Sequence, residues 1–412
     1  MKRLFTILLS TLMLFLIGCS SSTPTLSNTE NLKPLSTEEK LEDFEYMYKI
    51  LEENYPYFEV NKRMNNLDWL SKRDDYISMI KNTTGDIDFF NTLEKVLSDL
   101  NNGHTDMISK ERFSRLKALY EQDRKSNKAW VKKLNEHKAL QRYAFNSNDK
   151  NSDLSSSNKD KITKDNINTK IFEEGKAAYL SIKSLNSFNI ENDFKIILPF
   201  LKEIKDYKGL IIDIRGNGGG DTRYWTDNLV PALINEPLSS SNYTVYRGGN
   251  LTEEFVQCRW NGGYKNFNSI SDIDKEKLTN LPKELKEDFK YYSADTINIS
   301  PKNPIDFKGK IYLLVDKYVF SSSEAFASFA KNTKFATLIG EKTGGDGIGS
   351  DPAIAVLPNS GYIFRFPKEM GLAADGSCNF ECRTDPDIII DATKTLDLKD
   401  DNSIQKAIEL IN

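Results

Sequence analysis

From Ser36 to Leu100 the hydrophobic positions recur at helical spacing; after Lys176 they gather into short apolar runs. Leu41, Phe44, Met47, Tyr48 and Leu51 fall on one face, and Ser36-Thr37-Glu38-Glu39 can start their helix. Tyr55-Pro56 ends that run. Further helices are expected near Trp69 to Ile80 and from about Asp86 to Leu100, before the turn signal Asn101-Asn102-Gly103. Glu111 to Tyr143 reads as one long charged helix, and Asn146 to Asn168 as a polar loop or disordered insert. Beyond Lys176, strands alternate with helices. Ala177 to Ile182, Gly209 to Ile214, Lys310 to Val315 and Thr337 to Gly340 read as strands. Asp193 to Tyr207, Trp225 to Ile234 and the residues after Ser321 read as helices. The unbroken apolar run at Leu210 suits a strand covered on both faces. A Ser/Asn/Gly-rich excursion intervenes before Lys310. Ile354 to Leu357 with Tyr362 to Phe366 suggests a hairpin, and Ile388 to Ile390 a last strand.

The chain's start has a different pattern. Lys2 and Arg3 precede the apolar run Leu4 to Ile17, which is short for a membrane span and suits a signal peptide over residues 1–18. Leu16-Ile17-Gly18-Cys19 resembles a bacterial lipobox, with Cys19 as the lipidated residue; a plain signal peptide is the alternative. Residues 19–35 are rich in Ser, Thr, Asn and Pro and suit a flexible tether. The expected location is the outer face of the cytoplasmic membrane, or its periplasmic side.

Composition narrows the partners. The formal charge of the 412-residue chain is −4, and losing Lys2 and Arg3 makes it −6, so nothing favours nucleic acid or an anionic membrane surface. Membrane contact is expected only through Cys19. Cys258, Cys378 and Cys382 would remain; Cys378 with Cys382 is the closer pair for a disulfide, and their spacing fits no usual zinc site.

Three segments can carry chemistry. Ser321 lies on a turn between an apolar strand and an amphipathic helix, where backbone amides can face an oxyanion. Ser321-x-x-Glu324 is equally a capping box, which needs no further role. Arg215-Gly216-Asn217-Gly218-Gly219-Gly220 is a glycine-rich turn after a buried strand, without dinucleotide-binding spacing. The chain has only two histidines. His137 sits in a charged run, which leaves His104 as the candidate imidazole base. Acids at Glu381, Asp385 and Asp387 could orient an imidazole or simply line a surface loop.

Together these segments resemble the tail-specific (C-terminal processing) serine peptidases and the tricorn core protease. The resemblance rests on Arg215 to Gly220, Ser321 to Glu324, Gly340-Glu341-Lys342-Thr343-Gly344-Gly345 and Pro386-Asp387, in that order. Leu97 to Thr105 adds the family's helical segment ending in Gly-His-Thr. It implies an α/β catalytic domain with a mixed, ClpP/crotonase-like sheet over residues 171–412. A helical N-terminal segment, 36–107, would carry His104, and 108–170 would hold the charged helix and polar insert. The interval from Asp106 to Thr169 is short and lacks a PDZ pattern.

The resemblance implies Ser321 as nucleophile. Where the lysine branch of the family has its base, this chain has Asp346, so His104 matches the base of the tricorn-like branch. The serine that precedes that histidine in tricorn is Gly103 here, with Thr105 or a water as a substitute. Glu381 most nearly matches the family glutamate. Gly219 and Ser322 amides would form the oxyanion hole. The implied activity is an extracytoplasmic serine endopeptidase acting on peptides or proteins without metal or cofactor. The alternative is an inactive peptide-binding or scaffold lipoprotein on the same fold, motivated by Gly103, Asp346 and Glu381.

Overall fold

The computed structural model describes residues 33–145 and 165–412. The leader, Cys19 and most of the polar insert lie outside these residues. Residues 34–412 form one compact unit.

The first helix, Thr37–Asn54, begins at a formed capping box: the Glu39 amide donates to Ser36 Oγ and the Ser36 amide to the Glu39 carboxylate. Its buried stripe includes Phe44, Met47, Tyr48 and Leu51. A short helix, Phe58–Asn65, follows Pro56; helices Arg73–Lys81 and Asp86–Ser98 complete the segment. The single helix expected from Glu111 to Tyr143 is instead three: Lys110–Glu121, Lys128–Leu134 and His137–Phe145. The aromatic residues explain the breaks. Phe113 stacks on Tyr143 at 4.3 Å between centroids and Tyr120 on Trp130 at 5.3 Å, which requires the chain to fold back.

A six-stranded sheet is the centre of the α/β part. Its order is Ile388–Ile389, Thr337–Gly340, Lys310–Val315, Gly209–Asp213, Ala177–Ile182, Ile167–Glu173, parallel throughout except for the last pair. The apolar runs conceal an alternation. Leu210, Ile212 and Leu313 face a core shared with helices Ile190–Glu203 and Ser322–Thr333, whereas Ile211, Tyr312 and Leu314 face one shared with the C-terminal helix Asn402–Ile411. Two adjacent parallel strands, 209–213 and 310–315, deliver the glycine turn and the Ser321 turn to the same edge, where parallel α/β sheets place ligands.

The excursion after Ile234 is not irregular. Leu238–Tyr246 and Tyr291–Ile299 pair over their full lengths in a four-stranded sheet with Met370–Leu372 and Asn268–Ser269. The expected hairpin forms from Ala353–Val356 and Ile363–Phe366, and Asp106–Met107 joins it. That last pairing fixes the loop carrying His104.

Candidate active site

Ser321 occupies a strained turn. Its φ of 57° and ψ of −127° are unusual for a residue with a side chain, and such conformations gather where function requires them. The capping box anticipated here does not form. Ser321 makes no side-chain cap bond, and Glu324 points into the interior, fully buried. Ser322 and Ser323 are buried as well; Ser322 Oγ accepts from the Trp225 indole at 3.3 Å. Ser321 is the partly exposed serine of the three.

His104 reaches this turn from the other end of the chain. Its Nε2 is 3.0 Å from Ser321 Oγ, and its Nδ1 is 2.8 Å from Asp346 Oδ2. The loop is held on several sides. The His104 amide donates to Asn102 Oδ1, and Arg365 donates to the Gly103 carbonyl while pairing with Asp106. The Phe320 ring lies 4.7 Å from the imidazole. A Cβ on Gly103 would stand 3.0 Å from that ring, so a serine at this position would crowd Phe320. Thr105 does not reach the imidazole; its hydroxyl donates to Asn102.

Glu381 is not the partner of His104. Its carboxylate takes two hydrogen bonds from Arg63, which also binds Glu284. Asp346 takes the orienting place instead. It accepts from Tyr57 Oη and Asn102 Nδ2, both at 2.9 Å, besides facing His104. Burial alone would raise its carboxyl pKa; the charge of His104 and these hydrogen bonds outweigh burial and hold it below the ordinary value. Sequence reasoning noticed Asp346 only as a missing lysine. Asp346 lies between Gly345 and Gly347 with a left-handed φ of 56°.

The loop bearing Asp346 is stitched to the nucleophile turn. Gly344 donates to the Val319 carbonyl at 2.7 Å, Ser321 to Gly345 at 3.2 Å, and Gly347 to Asn379 Oδ1 at 2.7 Å. Asn379 in turn donates to Glu324, as does Thr384. Burial pushes the Glu324 carboxyl up to about 7, against hydrogen bonds from Thr384 and Asn379.

The glycine turn lies against Ser321: a Cβ on Gly219 would be 2.9 Å from both Ser321 Cβ and Ser322 N. The Gly219 amide, however, donates to Asn217 Oδ1 at 2.9 Å, so it is not free as expected for an oxyanion donor. The Ser322 amide begins the helix, where no intrahelical acceptor exists. Arg215 anchors the turn from behind, fully buried and ion-paired with Asp213 and Asp401. Cys258, Cys378 and Cys382 are all free thiols, so the pairing anticipated for Cys378 with Cys382 is not made.

Comparison with known proteins bears on the fold and the family. No curated protein matches the chain. Among solved structures, it is similar to a candidate peptidase from Parabacteroides merdae, with 22% identity, a TM-score of 0.56 and coverage of 90% of this chain and 96% of that one. It is also similar to mature CPAF, with 12% identity, a TM-score of 0.52 and coverage of 87% and 93%. At such identities the likeness concerns the fold. The model of Peptidase family S41 matches residues 176–390, just over half the chain. The chain therefore belongs to Peptidase family S41 and is a serine-type peptidase.

Proposed function

We propose that this peptidase cleaves peptide bonds with a Ser321–His104–Asp346 triad. The observation that carries the reading is the unbroken line of contacts from Ser321 Oγ through the imidazole to a buried carboxylate. With Nδ1–H donated to Asp346, Nε2 is left to take the Ser321 proton as Oγ attacks the substrate carbonyl. The imidazolium then delivers that proton to the leaving amine, and Asp346 stabilises its charge. Water repeats the sequence in reverse to release the acyl group. The Ser322 amide is the first oxyanion donor. Gly219 can join it only by exchanging Asn217 Oδ1 for the oxyanion. The chemistry requires no metal or cofactor. Gly103 and Asp346, which would otherwise favour an inactive scaffold, are accounted for by Phe320 and by the His104 contact.

A fluorophosphonate probe tests the reading. Labelling at Ser321, lost in Ser321→Ala and His104→Ala, is the expected result; an unlabelled, folded protein would overturn it. The lipobox-like Leu16 to Cys19 favours attachment to the outer face of a bacterial membrane. In that case Cys19→Ser should leave the leader uncleaved or release the protein, and mass spectrometry of the mature N-terminus decides.

A further inference from the structure

Three residues with side chains take positive φ around the nucleophile: Ser321, Asp346 and Arg383. The first two belong to the triad. Arg383 has no part in it, yet its backbone is unusual too. Its φ of 58° and ψ of −171° fall in a region that is essentially reserved for glycine. Its neighbours hold it there. The Arg383 amide donates to the Asn379 carbonyl at 2.9 Å, and Thr384 is bound through both its amide and its carbonyl to Thr343.

The strain places an arginine beside the nucleophile turn. The Arg383 stem lies over Gly345, where a Cβ would meet its Cγ at 3.2 Å. Gly345 is the residue whose carbonyl accepts the Ser321 amide. Among the described residues, no hydrogen bond or ion pair engages the Arg383 guanidinium, and its Nε is buried without a partner. The residue as a whole keeps part of its surface open. The acids on its own segment are already taken: Glu381 by Arg63 and Asp385 by Lys342. A planar, always-charged group with no internal partner is suited to one ligand chemistry above others, a carboxylate held by paired N–H bonds.

We propose that Arg383 is a specificity-determining residue that binds a carboxylate of the substrate peptide. The proposal rests on the serine-peptidase reading above. The carboxylate is either the substrate's C-terminus or an Asp or Glu side chain near the cut bond. Both present the same two oxygens.

Matched fluorogenic peptides test this with the full-length enzyme. One pair differs only in a free or amidated C-terminus, and another only in Glu or Gln beside the cut bond. Wild type should favour the carboxylate member of one pair by tenfold or more in kcat/KM, mostly through KM; the pair that responds identifies the source. Arg383→Gln should erase the preference, and Arg383→Lys should keep a part of it. Arg383→Gly also relieves the backbone conformation, so it should fold at least as well as wild type and still lose the preference. Fluorophosphonate labelling of Ser321 should be unchanged in all three. A preference that survives in Arg383→Gly, or equal cleavage of both members of both pairs by wild type, overturns the proposal. Absent Ser321 labelling in wild type overturns the peptidase reading itself, and this proposal with it.

Discussion

Two buried carboxylates flank the Ser321 turn, and they hold their protons differently. Asp346 is surrounded by donors: an imidazole, a phenol and an amide. Glu324 receives hydrogen bonds on Oε1 from Asn379 and Thr384, while its Oε2 has no partner. Among the described residues no salt bridge reaches it. Burial acts on both, but only Asp346 has a positive partner to offset it, so Asp346 is lowered and Glu324 raised. The difference assigns their tasks. A carboxylate that stays charged can stabilise an imidazolium. One that tends to be neutral near pH 7 suits a buried strut, and Glu324 ties Asn379, and through it Gly347, to the nucleophile helix.

The strongest way to break this contrast is to remove the groups on the Asp346 side. Ser321→Ala and His104→Ala should each lower kcat by about 10⁵-fold or more, and the double variant little further, because the groups act as a unit. Ser321 makes no cap bond, so Ser321→Ala should unfold at nearly the wild-type temperature. Asp346→Asn should lower kcat by about 10⁴-fold, since an amide there stabilises the wrong tautomer of His104. Steady-state kinetics on a cleaved peptide checks all four variants. Wild-type turnover in Asp346→Asn would show that the imidazole needs no carboxylate.

The parts of the site that are local in sequence were legible. The strand–turn–helix around Ser321 and the glycine turn follow from apolar runs and breakers, and the sheet places both at one edge. His104 was legible because so few histidines compete for the role. Asp346 was not, because its task depends on Tyr57 and Asn102, which lie far away in the chain. The strands from Leu238 and Tyr291 were missed for a related reason. They alternate polar and apolar residues weakly, and the connection between them, residues 247–290, is 44 residues long. Glu381 was misassigned by its nearness to Pro386-Asp387, while Arg63, from the N-terminal helices, had claimed its carboxylate.

Glu324 offers a smaller but sharper test. Its carboxyl is raised from 4.5 to about 7 in the folded chain. Between those values the native state binds the proton more tightly than the unfolded state, so stability falls as pH rises, and the full penalty applies above about pH 7. The shift corresponds to about 3 kcal/mol. Asp346 behaves oppositely: its lowered pKa contributes stability that is lost on acidification through the folded value. Glu324→Gln keeps an oxygen for Asn379 and Thr384 but cannot ionise. Urea unfolding at pH 5 and pH 8 should show a clear loss for wild type and a smaller loss for Glu324→Gln. Asp43, Glu94 and Asp193 are also raised, so part of the fall should remain. An undiminished fall in Glu324→Gln would mean that this carboxyl does not carry the proton.

The smallest expected effect is at Lys342, and it decides which branch of the family the chemistry follows. Lys342 belongs to the same loop as Asp346 and is the nearest lysine in sequence to the place where the other branch has its base. Its ammonium pairs with Asp385 at 3.0 Å, and both side chains are about half exposed. Such a pair contributes at most about 1 kcal/mol. That contact holds the Lys342 nitrogen at Asp385, and among the described residues no hydrogen bond joins it to Ser321. Lys342→Ala should therefore leave kcat within about twofold and stability within about 1 kcal/mol of wild type. The informative comparison is with His104→Ala under the same conditions. Turnover that survives loss of the imidazole but not loss of Lys342 would mean that the loop rearranges in the working enzyme to bring in a lysine, and that the Asp346 contact belongs to a resting arrangement.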